Sequence, residues 1–224
     1  MSTVIFDLDG TLVDTAKDLM IAGNSTFEEL NWKIRLREGV DEGIAIQGGR
    51  AMINYGLSSE SLSADIEFMA STYQMLLSHY DLTIDANSYV YDGIAQCLNR
   101  LELAGWNIGL CTNKPQNQAN ELLLRMKIRH FFKSFIGADT VGVAKPNPKP
   151  LLTSIAEAGG KPDDSVLVGD TKTDRDTALA AGVKSILVRY GHGALIHDLD
   201  ELQPDCLVST PDELFDSLER LFFD

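Results

Sequence analysis

The sequence predicts a doubly wound α/β fold, in which helices cover both faces of a parallel sheet and a small helical domain follows the first strand. Short, almost continuously apolar runs alternate with amphipathic helical patterns along most of the chain, and such runs are typical of strands buried on both faces. One stretch near the N-terminus breaks this alternation, because it contains helical patterns and no good strand.

Five strands are predicted, because five apolar runs are each followed by a polar or glycine-containing turn. In chain order they are Thr3–Phe6, Asn107–Cys111, Ser134–Ile136, Ser165–Val168 and Ser185–Val188. The helices predicted between and after them are Ile94–Ala104, Gln118–Met126, Leu151–Ala158, Asp174–Ala181 and Pro211–Leu221. Glycines end the first and fourth of these helices, and Thr210 followed by Pro211 is a typical helix start.

The inserted segment is predicted to be helical throughout. Its helices are Thr15–Leu30, Gly49–Tyr55 and Leu62–Tyr80. The simplest account is a helical cap domain of residues 15–84, inserted between residues 1–14 and 85–224 of an α/β core.

Composition and charge narrow the possible partners and location. The net charge of −14 makes nucleic acid and anionic membranes poor partners, because the protein surface repels them. No apolar stretch approaches the roughly 20 residues needed to cross a bilayer, and no signal peptide is recognised. The three cysteines have neither zinc spacing nor a CxxC pair, so we expect reduced thiols and a cytoplasmic protein, either monomer or homodimer.

Two aspartates end the first predicted strand, in the segment Phe6-Asp7-Leu8-Asp9-Gly10-Thr11. Side chains alternate along a strand, so Asp7 and Asp9 point to the same side. They lie at the carboxyl end of a parallel strand, where open α/β sheets bind ligands. Two carboxylates this close repel each other, and one would bind a proton unless a cation lies between them.

Four segments, each at a strand end or in the loop that follows, resemble the motifs of the haloacid dehalogenase superfamily in their expected order. They are Asp7-Leu8-Asp9-Gly10-Thr11-Leu12-Val13-Asp14, Cys111-Thr112-Asn113-Lys114, Lys145-Pro146-Asn147-Pro148 and Val168-Gly169-Asp170-Thr171-Lys172-Thr173-Asp174. The resemblance covers essentially the whole chain and implies a Rossmann-like core with a cap domain. It also implies a phosphatase that uses Mg²⁺ and forms an aspartyl-phosphate.

The resemblance implies a role for each acidic residue of these motifs. Asp7 is the nucleophile, and Asp9 gives a proton to the leaving oxygen and later takes one from water. Magnesium is held by the Asp7 carboxylate, the Asp9 backbone carbonyl and Asp170, a set of hard oxygen ligands. Asp174, one helical turn after Asp170, is expected to support the metal site or to contact the metal through water.

The same resemblance assigns residues that bind the substrate. The Thr112 hydroxyl and the Asn113 amide can donate to phosphoryl oxygens, and Lys145 can neutralise both the phosphate and Asp7, with Lys149 as a nearby alternative. In the cap, Gly49 and Arg50 occupy the place of a glycine-containing specificity loop. Arg50 could pair with a substrate carboxylate or be an ordinary solvated helix residue.

The segment Tyr190-Gly191-His192-Gly193, followed by Gln203-Pro204-Asp205, resembles phosphoglycolate phosphatase-like members of the superfamily. The expected substrate is a small phosphorylated metabolite: 2-phosphoglycolate first, then a sugar phosphate, then a nucleoside monophosphate. A sugar phosphomutase of the same superfamily and a binding or regulatory protein that has lost the reaction are the alternatives.

Overall fold

The computed structural model describes residues 2–223 and divides into two compact units. The α/β unit runs up to Asp14 and resumes at Val90, and the helical unit is Thr15–Tyr89. The chain therefore returns to the α/β unit five residues after the point expected from the sequence, where residue 85 begins the second core segment.

A six-stranded parallel sheet forms the centre of the α/β unit. Its strands are β1 (Thr3–Phe6), β4 (Asn107–Cys111), β5 (Ser134–Ile136), β6 (Ser165–Gly169), β7 (Lys184–Val188) and β8 (Cys206–Val208). The two-residue strands β2 (Val13–Asp14) and β3 (Tyr89–Val90) pair as a separate sheet. The order across the large sheet is β5-β4-β1-β6-β7-β8, so the chain reverses its direction of travel between β1 and β6. Such a switch point is where open α/β sheets bind ligands.

The helices of this unit confirm the doubly wound fold. They are α5 (Ile94–Leu103), α6 (Gln116–Arg125), α7 (Pro148–Glu157), α8 (Lys172–Ala181) and α9 (Pro211–Phe223). Helices α7 and α8 pack together over Ile5, Leu167 and other buried apolar side chains of the sheet, while α5 packs with α9. The parallel strands are thus buried, which is why their sequences are continuously apolar.

The structure corrects the sequence prediction at one sheet edge and at several helix starts. Strand β8 was not predicted, because its apolar run is only Cys206-Leu207-Val208 and, of these, only Val208 is buried. Helices α6, α7 and α8 begin two or three residues earlier than predicted, because their first turns are polar and carry no apolar pattern. A side-chain cap shows the true start of α7, where Asn147 accepts from the Lys149 N–H at 3.0 Å.

The helical unit contains α1 (Ala16–Glu29), α2 (Glu42–Ala45), α3 (Gly49–Ser59) and α4 (Ile66–Leu82), of which the short α2 was not predicted. Its aromatic core brings Phe27 and Trp32 to a ring separation of 5.4 Å. Gly56 permits this packing, since a Cβ there would lie 2.4 Å from the Trp32 ring. The buried Asp18 carboxylate accepts hydrogen bonds from Asn87 and Ser88, which join the first helix of the unit to its last residues.

Candidate active site

The four sequence motifs meet at the carboxyl edge of the sheet, around the switch point between β1 and β6. Asp7 follows β1 directly, and its backbone N–H donates to the Val168 carbonyl of β6 at 2.9 Å. Asp170 follows β6, and Thr112 follows β4 on the other side of β1. Because the strands are parallel, residues far apart in the sequence reach the same edge.

Three buried aspartates form an acidic cluster at this edge. One carboxylate oxygen from each of Asp7, Asp170 and Asp174 lies within 4.8 Å of the others. Burial raises the pKa of Asp7 to about 6 against the opposing charge of Lys145. Burial, and then the charges of Asp174 and Asp7, raise the pKa of Asp170 well above its ordinary value. Even beside Lys145, the carboxylates of Asp7 and Asp170 are therefore costly to ionise.

The cluster fits a divalent cation such as Mg²⁺, which prefers carboxylate and carbonyl oxygens. The Asp7 Oδ1 atom is buried and, among the described residues, accepts no hydrogen bond of good geometry. Its contact with Lys145 Nζ, at 3.0 Å, is an ion pair without good hydrogen-bond alignment. Asp170 is oriented more firmly, because its two oxygens accept from the Thr11 hydroxyl at 3.2 Å and the Gly193 N–H at 3.0 Å. A cation would satisfy the oxygen of Asp7 and offset the charge of the whole cluster.

Lys145 is the lysine that reaches the cluster. Its Nζ atom lies 2.6 Å from Asp174 Oδ1 and 3.0 Å from Asp7 Oδ1. Burial alone would lower the pKa of Lys145, but the charges of Asp174 and Asp7 outweigh burial and raise it above its ordinary value. Lys149, the alternative considered from the sequence, is exposed and donates instead to the Val141 carbonyl at 3.0 Å.

Asp174 is held by groups other than a metal. Its Oδ1 atom accepts from Lys145, and its Oδ2 atom accepts from the Thr171 hydroxyl at 2.6 Å and the Thr171 N–H at 3.1 Å. With Thr171 it forms the capping box that begins α8. This arrangement suits a residue that positions Lys145 more than one that gives up both oxygens to a cation.

The side-chain amide of Asn113 forms two hydrogen bonds with the backbone of Lys145. Its Oδ1 atom accepts from the Lys145 N–H at 2.9 Å, and its Nδ2 atom donates to the Lys145 carbonyl at 3.0 Å. The side-chain amide therefore fixes the loop that carries Lys145, so a phosphoryl oxygen would have to use the Asn113 backbone N–H. The buried Thr112 hydroxyl accepts a hydrogen bond from the Lys114 N–H at 3.2 Å, so the hydroxyl can still donate its own proton to a ligand.

Sequence reasoning did not identify Lys114, which pairs with the second aspartate of the first motif. Its Nζ atom lies 2.9 Å from Asp9 Oδ1, and its side chain is 3% exposed. The sequence signal for it is modest: a lysine shortly after a strand end in a chain of net charge −14.

Three glycines of the segments singled out in the sequence lie at the site, and each permits a close backbone approach to Asp170 or its neighbours. A Cβ at Gly10 would lie 2.3 Å from Asp170 Oδ2, and one at Gly193 would lie 1.7 Å from the Asp170 carbonyl oxygen. A Cβ at Gly191 would lie 2.0 Å from the Gly10 carbonyl oxygen. The glycines on both sides of His192 were a visible signal of such tight packing.

Gly49 and Arg50 lie at the start of α3 in the helical unit. The Arg50 side chain is exposed, and its guanidinium carbon lies 5.2 Å from the centre of the Tyr73 ring. A Cβ at Gly49 would lie 2.8 Å from the same ring, so the glycine allows this packing. Arg50 therefore presents a supported cation on the surface of the helical unit.

The parallel α/β sheet brings carboxylates and two buried lysines together at its switch point, where such sheets bind ligands. This arrangement is typical of an enzyme that binds an anionic ligand at this edge of the sheet. The model of one family, described as haloacid dehalogenase-like hydrolase, matches residues 4–188. The chain belongs to the haloacid dehalogenase-like hydrolase family.

Relatives and solved structures agree with this assignment over the full length of the chain. A phosphoglycolate phosphatase of Mesorhizobium japonicum is 33% identical, with 97% of this chain and 95% of the relative covered. One of Colwellia psychrerythraea is 30% identical, with 97% and 96% covered. The crystal structure of a predicted phosphoglycolate phosphatase from Haemophilus somnus 129PT has a TM-score of 0.86 at 21% identity, with 97% of each chain covered, and supports the fold. The protein is a phosphatase of this family.

None of the helices between residues 2 and 223 is long and apolar enough to cross a membrane.

Proposed function

We propose that the protein hydrolyses a small phosphate monoester in a magnesium-dependent reaction that passes through an aspartyl-phosphate on Asp7. One observation carries this proposal: Asp7 lies in the same buried cluster as Asp170 and beside the Lys145 ammonium. A nucleophilic carboxylate, a set of oxygen ligands and a fixed cation are thus combined at one point, as phosphoryl transfer requires.

In the proposed reaction, Asp7 is the nucleophile and Asp9 transfers the protons. An oxygen of Asp7 attacks phosphorus as the bond from phosphorus to the ester oxygen breaks, and Asp9 gives its proton to that departing oxygen. In the second half, Asp9 takes a proton from a water molecule whose oxygen attacks the phosphorus of the acyl phosphate. The bond from phosphorus to Asp7 breaks, and free phosphate and the original carboxylate are restored.

Charge on the phosphoryl oxygens is met by donors on the surrounding loops. The Lys145 ammonium, the Thr112 hydroxyl and the Asn113 backbone N–H are the proposed donors, since all lie at the carboxyl edge beside Asp7. Asp174 is proposed to support the reaction indirectly, because its Oδ1 atom holds the Lys145 ammonium at 2.6 Å.

Magnesium is proposed to bind the Asp7 carboxylate, the Asp9 backbone carbonyl and Asp170. When bound, it neutralises charge on the phosphoryl oxygens and screens the three aspartates from one another. The raised pKa values of Asp7 and Asp170 support this assignment, because burial and the neighbouring aspartates disfavour their ionised forms and a bound cation would favour them.

For the substrate we propose 2-phosphoglycolate, ahead of a sugar phosphate or a nucleoside monophosphate. The names of the full-length relatives support this choice. So does the exposed guanidinium of Arg50, which is suited to pairing with a carboxylate. Arg50 is therefore proposed as a substrate-binding residue.

The test is release of free phosphate from a panel of monoesters, measured in magnesium and in EDTA. Wild-type protein should release phosphate only with the metal, fastest from 2-phosphoglycolate, and Asp7→Asn should release none while remaining folded. The matched control Asp163→Asn changes an exposed aspartate of the same unit and should behave as wild type. Retained activity in Asp7→Asn would reject the covalent mechanism. Transfer of phosphate between positions of a sugar without release would identify a mutase instead.

A further inference from the structure

The backbone of Lys114 is held on both sides. Lys114 follows β4, the neighbour of β1, just as Asp9 follows β1. The Lys114 N–H donates to the Thr112 hydroxyl at 3.2 Å, and the Lys114 carbonyl accepts from the Ala138 N–H at 3.0 Å. From this held backbone the buried side chain reaches Asp9, with Nζ 2.9 Å from Asp9 Oδ1.

The buried position of the Lys114 ammonium group carries a desolvation cost. Removing a lysine charge from water costs several kcal/mol, and an ion pair recovers only part of that cost when its geometry is good. The Lys114 side chain is 3% exposed and the Asp9 side chain 16%, so the pair is largely withdrawn from solvent. A surface lysine would avoid this cost entirely.

The two buried lysines of the site serve different aspartates. Lys145 contacts Asp7 and Asp174, and so faces the proposed nucleophile. Lys114 contacts Asp9, the proposed proton donor, through one carboxylate oxygen. Holding that oxygen restricts rotation of the carboxylate about its Cβ–Cγ bond, and a proton donor must have a defined direction relative to the departing oxygen.

We propose that Lys114 is a positioning residue, which orients the Asp9 carboxylate for proton transfer to the leaving group. This inference rests on the proposed function, because it requires Asp9 to act on a departing ester oxygen. Its consequence is selective: loss of Lys114 should lower kcat/KM for esters that need a proton to leave, and should spare kcat/KM for esters whose leaving group departs as a stable anion.

The experiment compares Lys114→Met with wild type on two substrates, 2-phosphoglycolate and para-nitrophenyl phosphate. A methionine has a similar length and no charge. We expect kcat/KM for the alkyl ester to fall about 100-fold and that for the nitrophenyl ester to fall less than about 5-fold, since general acid catalysis contributes roughly 10²–10⁴-fold. The control Lys149→Met removes an exposed lysine of the same unit and should change neither value.

A second arm keeps the proposal testable if Lys114→Met folds poorly. In the double variant Asp9→Asn/Lys114→Met both charges are absent, and it should have the same activity as Asp9→Asn within about 3-fold, because residues that act as a unit are not additive. Equal loss on both esters, or a further loss in the double variant, would overturn the positioning role. Wild-type protein that releases phosphate from neither ester would instead reject the proposed function itself.

Discussion

Replacement of Asp7 by asparagine should stabilise the metal-free protein near neutral pH, although it removes the proposed nucleophile. In the absence of a metal, burial is the largest cause that raises the pKa of Asp7 from 3.8 to about 6; Lys145 opposes it, and Asp174 and Asp9 add to it. A carboxyl group with a higher pKa in the folded chain stabilises the folded state below its unfolded pKa. That contribution is lost as the pH rises through the folded pKa.

The size of the effect follows from the shift. A pKa difference of about 2 units between the folded and unfolded chain lowers the free energy of unfolding by roughly 3 kcal/mol at about pH 7.5. Asparagine is neutral at every pH and keeps an oxygen that can accept from Lys145, so the variant should avoid this loss. For a chain of this length, 1 kcal/mol shifts Tm by about 2–4 °C, so we expect Asp7→Asn to melt roughly 6–12 °C higher in EDTA. At about pH 5, between the unfolded and folded pKa values of Asp7, the increase in Tm should be about half as large.

Thermal denaturation in EDTA at both pH values, with Asp163→Asn as the matched exposed control, measures this effect. Magnesium should then raise the Tm of wild type more than that of Asp7→Asn, because the cation relieves the repulsion that the variant already lacks. A variant that melts at or below wild type in EDTA at the higher pH would refute the reasoning. An increase in Tm of equal size at both pH values would also refute it, since the free-energy cost of ionised Asp7 must grow with pH.

Three further predictions concern the metal site and the substrate. Asp170→Asn should weaken magnesium binding at least about 10-fold, measured as the magnesium concentration that half-restores activity and Tm; an unchanged concentration would exclude Asp170 as a ligand. Gly10→Ala and Gly182→Ala both place a side chain at positive φ, at a cost of about 1–2 kcal/mol, but only the first puts a Cβ against Asp170. Gly10→Ala should therefore also lose the rise in Tm with magnesium, and equal behaviour of the two variants would contradict the packing argument. Arg50→Ala should raise KM for 2-phosphoglycolate about 10-fold and leave KM for an ester without a carboxylate nearly unchanged; parallel increases would reject carboxylate recognition.

Most of the α/β unit could be predicted because its strands carry a local signal. Burial on both faces makes the central strands almost continuously apolar, and β1, β4 and even the edge strand β5 have the bounds that the sequence predicts. The other edge strand, β8, gives a weaker signal, because only one of its three residues is buried. The helix starts were placed too late where the first turn is polar, since the position of a cap depends on hydrogen bonds and not on apolar spacing.

The residues of the candidate site divide in the same way. Asp7, Asp170 and Lys145 could be identified because each lies in a motif directly after a strand or in a fixed loop, and the structure brings them together. The side chain of Asn113 could not be placed from the sequence, because an amide at a strand end can turn toward a ligand or toward a neighbouring loop. Lys114 could not be identified because its partner, Asp9, is 105 positions away in the chain.

The sequence by itself determined the fold class, the inserted helical segment and the family, because these depend on apolar periodicity and on short motifs that are local in the chain. The tertiary structure decided the strand order, which places β6 beside β1 and so puts Asp170 next to Asp7. It also decided which lysine serves which aspartate and how closely the glycine loops approach Asp170. These features depend on distances between segments far apart in the chain, and such distances exist only once the sheet has assembled.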